Sequence, residues 1–205
     1  KLSVKEGTNS AIFSKSMKYY INTFTNITTP PVITINDNTG KTLTTLVDNK
    51  RLVEKVANLN MPSKEFFTFT TSDGVELNGW MMKPANFDAN KKYPVIMHQY
   101  SGPGSQRVLD QWNIGSRSDG GMFEAYMADH GFISVCVDGR GTGGRGAEFE
   151  KCTYMNLGVK EARDQVETAL YLGTLPYVDA KNIGIWGWSF GGYTTLMSMS
   201  EGTPV

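Results

Sequence analysis

Asn182-Ile-Gly-Ile-Trp-Gly-Trp-Ser-Phe-Gly-Gly-Tyr193 decides how this chain is read. Asn182 to Trp186 is apolar and β-branched enough for a short strand, and Phe190 to Ser200 reads as a helix. Between them lies Gly187-Trp-Ser-Phe-Gly191, the pattern G-x-S-x-G. A sharp strand-to-helix turn can hold a serine in strained backbone geometry with its oxygen exposed. Side chains two positions before and two after would then collide, so both places require glycine. With 22 Gly in 205 residues, and 14 Ser, a chance match is expected roughly 0.16 times. The strand before and the helix after are what make Ser189 a candidate nucleophile. Gly192 can serve simply to let the helix pack closely.

Working outward, the chain from residue 61 alternates strands and helices. Phe66–Thr71 and Val75–Met82, joined across Ser72-Asp-Gly74, read as an antiparallel pair. Pro94–His98 and Phe132–Val137 are short apolar strands, and Gly121–His130 is a helix closed by Gly131. Over 159–172, Val159, Ala162, Val166, Ala169 and Leu170 share one helical stripe, with the charges largely elsewhere. The expected fold class is therefore α/β: a doubly wound, mostly parallel sheet with helices on both faces. Reactive groups should lie beyond the C-terminal ends of its strands.

Residues 1–60 differ. Met17–Thr25, Val32–Ile35 and Thr42–Val47 are β-type runs, with a turn at Asn36–Gly40. Pro30 and Pro31 should interrupt pairing, since neither can donate to a sheet ladder. Lys50–Asn58 reads as a short helix or a linker.

Twenty basic and twenty acidic residues leave a formal net charge of zero, which offers no electrostatic footing for nucleic acid or an anionic membrane. No run approaches the roughly 18 apolar residues of a membrane span. Cys136, in an apolar run, reads as a core residue, and Cys152 lies in a polar loop; two cysteines make no disulfide framework. Two Cys and two His without clustered spacing give no zinc site, so no metal is expected.

A nucleophilic serine needs a base and a stabiliser for the oxyanion. The sixteen residues after Ser189 contain neither His nor Asp. Where this turn occurs, the acid and then the histidine follow the serine. His130 beside a helix end complements the helix dipole. His98, at a strand end, reads as a satisfied polar neighbour rather than the base. The expectation is that the catalytic machinery is completed outside this chain. The Phe190 N–H is the first oxyanion donor. The second belongs to the loop after an earlier strand, here Gln99-Tyr-Ser-Gly-Pro-Gly-Ser105. Tyr100 can donate its phenolic proton, or can be an aromatic at a strand end; spacing does not choose.

Gly139-Arg-Gly-Thr-Gly-Gly144 satisfies G-x-G-x-x-G after a strand. A dinucleotide site would also need a helix opening at once and a second strand ending in an acidic residue. Neither is present, so no cofactor is expected, and a flexible loop beside the active site is the better reading. Arg140 and Arg145 could order that loop, meet a carboxylate, or simply be solvated charges.

Taken together, Gly187-Trp-Ser-Phe-Gly-Gly-Tyr193, Tyr100-Ser-Gly-Pro103 with Ser105-Gln106, and Asp138-Gly-Arg-Gly141 resemble the prolyl oligopeptidase family of serine peptidases. The likeness is to its dipeptidyl peptidase IV branch, in a bacterial form. Tyr177-Val-Asp179, Ile185-Trp-Gly187 and Phe87–Pro94 are similar too. The resemblance is strong from about residue 61 and weaker before it. It implies that residues 1–60 end a β-propeller and its linker, while 61–205 begin an α/β-hydrolase domain whose sheet is incomplete here. It implies Ser189 as nucleophile, with the Tyr100 hydroxyl and Phe190 N–H as oxyanion donors. It further implies no cofactor, a peptide substrate cut after an N-terminal Xaa-Pro or Xaa-Ala, a homodimer of the full-length protein, and a periplasmic, secreted or cell-surface setting. Phe190 departs from the Tyr of animal members, which changes the pocket lining but not the backbone donor. An oligopeptidase or esterase of the same fold, or an inactive binding scaffold, are the alternative readings.

Overall fold

The computed structural model describes residues 2–59, 61–113 and 121–201, which fall into two units. The first comprises Lys1–Met61 with Leu109–Ile114. Its strands β1 (Thr8–Phe13), β2 (Tyr19–Asn26), β3 (Thr29–Asp37) and β4 (Thr42–Val47) form an antiparallel sheet in sequential order. The sequence reading missed β1, whose Thr8-Asn-Ser opening carries no β signal. It also broke β3 too early. Pro30 and Pro31 do lie within that strand, but at a bulge in the β2 pairing and before the β4 pairing begins at Ile33. No ladder donor is needed there, so the prolines are tolerated. Asp110 closes the unit by accepting from the Thr8 hydroxyl (2.7 Å) and the Ile27 N–H (2.9 Å). Helix α1 (Lys50–Ala57) buries no residue.

The second unit comprises Pro62–Val108 and Gly115–Val205. Its strands are β5 (Ser63–Thr70), β6 (Glu76–Lys83), β7 (Tyr93–His98), β8 (Ile133–Asp138) and β9 (Val178–Trp186). They pair in the order β5-β6-β8-β7-β9. Only β8-β7-β9 is parallel; the β5–β6 hairpin joins β8 antiparallel. The sheet is therefore mixed rather than mostly parallel. A tight turn at Ser72–Gly74 can only return the chain antiparallel, whereas the parallel strands need helical crossovers.

Those crossovers are α2 (Met122–Asp129) and the short α3 (Ala147–Lys151) with α4 (Val159–Gly173); α5 (Phe190–Ser200) follows β9. β7 passes through α2 to β8, and β8 returns through α4 past β7 to β9. Opposite directions of travel with right-handed crossovers put α2 and α4 on opposite faces. All six residues of β8 are buried. Leu77, Met81, Val95, Met97, Ile133 and Val135 form the core with Leu172 of α4, on the face of the sheet that α4 covers. Cys136 is buried as well, and both cysteines are free. Gly131 follows α2 with φ of 84°, the left-handed residue that stops the helix.

Candidate active site

The site forms where β9 gives way to α5. Ser189 has φ of 56° and ψ of −121°, a conformation L-residues avoid, and it is exposed. The flanking glycines are required by contact. A Cβ on Gly187 would stand 2.5 Å from the Gln99 carbonyl oxygen, and one on Gly191 would stand 2.5 Å from the same atom. On Gly192 it would meet nothing closer than 3.4 Å. Gly191→Ala should therefore lower stability by about 1–3 kcal/mol through overpacking, while Gly192→Ala should melt near the parent. Thermal unfolding of both in the full-length protein checks this; equal midpoints would remove the steric account of the turn.

Against this turn lies the loop after β7. The Gln99 N–H donates to the Trp186 carbonyl (3.2 Å), continuing the β7–β9 pairing into the turn. The Tyr100 and Phe190 rings lie 6.3 Å apart, and the Arg107 guanidinium sits 4.7 Å above the Tyr100 ring. Phe190 opens α5, so its N–H has no intrahelical acceptor. The three residues singled out from sequence, Ser189, Tyr100 and Phe190, thus fall on two adjoining segments at the C-terminal ends of β7 and β9.

Ser101 carries φ of 57°, a second left-handed non-glycine residue one position after Tyr100. Its hydroxyl accepts from Gln165 Nε2 on α4 (3.3 Å), which also donates to the Val137 carbonyl (3.2 Å). Beyond the loop, the Asp138 carboxylate receives the N–H groups of Arg107 (2.9 Å) and Val108 (2.7 Å).

The glycine-rich loop after β8 is buried from Gly139 to Gly143 rather than flexible. Backbone bonds tie it to the Tyr100 loop: Gly104 N–H to the Gly141 carbonyl (3.0 Å) and Gly143 N–H to the Ser105 carbonyl (2.8 Å). A Cβ on Gly143 would stand 2.7 Å from the Gly104 carbonyl oxygen, so glycine there permits this backbone-to-backbone approach. Arg140 anchors the loop from beneath. Its N–H and guanidinium reach Asp164 on α4 at 2.7 and 2.5 Å, and Nη1 reaches Asp73 at 2.8 Å. Asp164, with Asp73 behind it, holds Arg140 protonated even more firmly than usual. The Thr71 hydroxyl first, then Arg140, pull the Asp73 carboxyl down to about 2. Arg145 stacks 4.4 Å over Phe149 and donates to the Glu76 carbonyl.

Neither histidine is presented to Ser189. His98 is buried beneath α2, its Nδ1 3.3 Å from Glu124 Oε1 and its ring 4.4 Å from that of Trp186. His130 caps α2, with Nδ1 2.8 Å from the Tyr126 carbonyl. Sequence reasoning missed Gln99, Gln165 and Asp164. Their signal was polar residues on a face that had to be buried.

An exposed serine on a strained strand-to-helix turn at the end of a parallel strand is the arrangement of the nucleophile turn in the α/β-hydrolase fold. Residues 122–205 match the model of the prolyl oligopeptidase family, and the chain belongs to that family. It is 51% identical to the crystal structure of Porphyromonas gingivalis dipeptidyl peptidase 4, with a TM-score of 0.90, covering 96% of this chain and 27% of that one. An Aspergillus flavus protein named "Probable dipeptidyl peptidase 4" is 36% identical over 189 residues, 91% of this chain and 24% of that protein. A Sclerotinia sclerotiorum protein named "Probable dipeptidyl-aminopeptidase B" is 39% identical over 199 residues, 96% of this chain and 21% of its own length. The chain thus spans between 21% and 27% of the length of these relatives. Among the described residues no helix is long and apolar enough to cross a membrane.

Proposed function

We propose that this chain carries the nucleophile and oxyanion hole of a serine exopeptidase that releases N-terminal dipeptides, Xaa-Pro or Xaa-Ala. The observation that carries the reading is Ser189, exposed at φ of 56° on a turn packed against the Tyr100 loop. Ser189 Oγ attacks the scissile carbonyl while a base outside these residues takes its proton. The carbonyl oxygen, now negative, accepts from the Tyr100 hydroxyl and the Phe190 N–H. The tetrahedral species collapses, the C–N bond breaks, and the amine leaves with a proton returned by the base. Water then cleaves the acyl-serine ester and releases the dipeptide.

The names of the relatives, dipeptidyl peptidase and dipeptidyl-aminopeptidase, support release of dipeptides. Residues 1–60 are assigned to the end of a β-propeller, since four antiparallel strands in sequential order have the form of one blade. Residues 61–205 are assigned to the catalytic domain. The full-length protein is assigned as a homodimer acting on peptides. Steady-state assays of that protein with Gly-Pro, Ala-Ala and Gly-Phe anilides, a blocked internal-proline peptide and a simple ester test the specificity. Turnover of the Gly-Pro anilide should exceed that of the Gly-Phe anilide at least about 100-fold in kcat/KM, a difference of about 2.7 kcal/mol. Preference for the blocked peptide or the ester would replace the exopeptidase reading with an oligopeptidase or an esterase.

A further inference from the structure

The two oxyanion donors stand on different elements, Tyr100 on the loop after β7 and the Phe190 N–H on α5. Their separation has to be held closely, because a hydrogen-bond network aimed at a developing charge loses much of its effect with displacements near 1 Å. Backbone pairing ends at the Gln99 N–H, one residue before Tyr100. Beyond that point the Tyr100 and Phe190 rings approach each other, and among the described residues the hydrogen bonds that cross from loop to helix come from the Gln99 side chain. It is fully buried, and its Nε2 donates to the Gly191 carbonyl (2.5 Å) and to Thr195 Oγ1 (3.0 Å). Thr195 Oγ1 in turn donates to the Gly191 carbonyl (2.8 Å), closing a triangle across the first two turns of α5. An apolar residue could fill this space but would leave loop and helix free to slide past one another.

We infer that Gln99 is a positioning residue, whose amide clamps the Tyr100 loop to the first two turns of α5 and so sets the spacing of the two oxyanion donors. The inference rests on the proposed role of Tyr100 and Phe190 and extends it to a residue that touches no substrate. Gln165 supports the same loop from its other side through Ser101.

The test is a double-mutant cycle in the full-length protein, read on a Gly-Pro anilide. Gln99→Met and Gln99→Glu, which keep the volume and lose the donor, should each lower kcat about tenfold with KM within about twofold. In a Tyr100→Phe background, where the second donor is already gone, the same changes should lower kcat less than about twofold. Equal losses in both backgrounds would make Gln99 a general structural residue and overturn the inference, as would an unchanged kcat in the single variants. If Tyr100→Phe alone leaves kcat intact, the oxyanion reading itself fails and the inference with it. Should both Gln99 variants fail to fold, Thr195→Val, which removes one acceptor of the clamp from a half-buried position, takes their place. It should lower kcat about threefold, again only when Tyr100 is present; an additive loss would overturn the clamp.

Discussion

Ser189→Ala in the full-length protein is expected to abolish covalent labelling by a fluorophosphonate and to lower kcat by about 10⁴–10⁶. The magnitude follows from what is lost. Without Oγ no acyl-enzyme forms, and only water attack aided by the oxyanion donors and by substrate positioning remains. The structure also separates this loss from misfolding. Ser189 makes no side-chain capping bond to α5, and its side chain is exposed. Alanine keeps the same Cβ and the same backbone strain at φ of 56°. Thermal unfolding should therefore match the parent while labelling disappears. Labelling that persists at the parental level would place the reactive nucleophile elsewhere and undo the assignment of the turn. An unlabelled parent protein would favour the inactive scaffold.

That turn was legible because its demands are local. Two glycines, a strand before and a helix after are all visible within twenty residues. The Tyr100 loop was only half legible. Its glycines and proline announced a turn, but nothing in Gln99–Ser105 says that the Tyr100 ring lies 6.3 Å from that of Phe190. The β9 pairing that brings the two segments together is a contact between residues nearly ninety positions apart.

Helix α4 shows why periodicity misled. The apolar stripe Val159, Ala162, Val166, Ala169, Leu170 pointed to one face. Instead Val159 and Leu170 are exposed, and the buried residues are Glu161, Ala162, Asp164, Gln165, Thr168 and Leu172. Polar groups occupy that face because it must satisfy others. Asp164 neutralises Arg140, Gln165 serves Ser101 and Val137, and Glu161 accepts the Gly158 N–H at 2.9 Å. Burial pushes the Glu161 carboxyl up, as desolvation of an acid must. A hydrophobicity pattern identifies burial against hydrocarbon. It has no means of identifying burial against a loop that presents N–H groups and a guanidinium. The glycine-rich loop was misjudged for the same reason, since Arg140 and its two carboxylates are brought together only by the fold.

Tyr100→Phe carries the second large effect, an expected loss of about 10²–10³ in kcat. The substitution removes one oxygen and leaves the ring. The 6.3 Å approach to Phe190 and the stacking beneath Arg107 at 4.7 Å both involve that ring and should survive. The fold and the substrate pocket should therefore change little, and KM should stay within about threefold. The loss falls on kcat because the hydroxyl bonds an oxygen whose negative charge exists only as the tetrahedral species forms. Tyr100→Ala makes a useful contrast. It also removes the surface on which Arg107 rests, so it should lower the thermal midpoint as well as turnover. A Tyr100→Phe enzyme with near-parental kcat would show that the second donor lies elsewhere. A rise in KM at constant kcat would show that Tyr100 binds substrate without stabilising charge. A large fall in kcat alone, with labelling of Ser189 slowed in proportion, is the result that places the phenol at the developing oxyanion, because phosphonylation builds negative charge on oxygen at the same position.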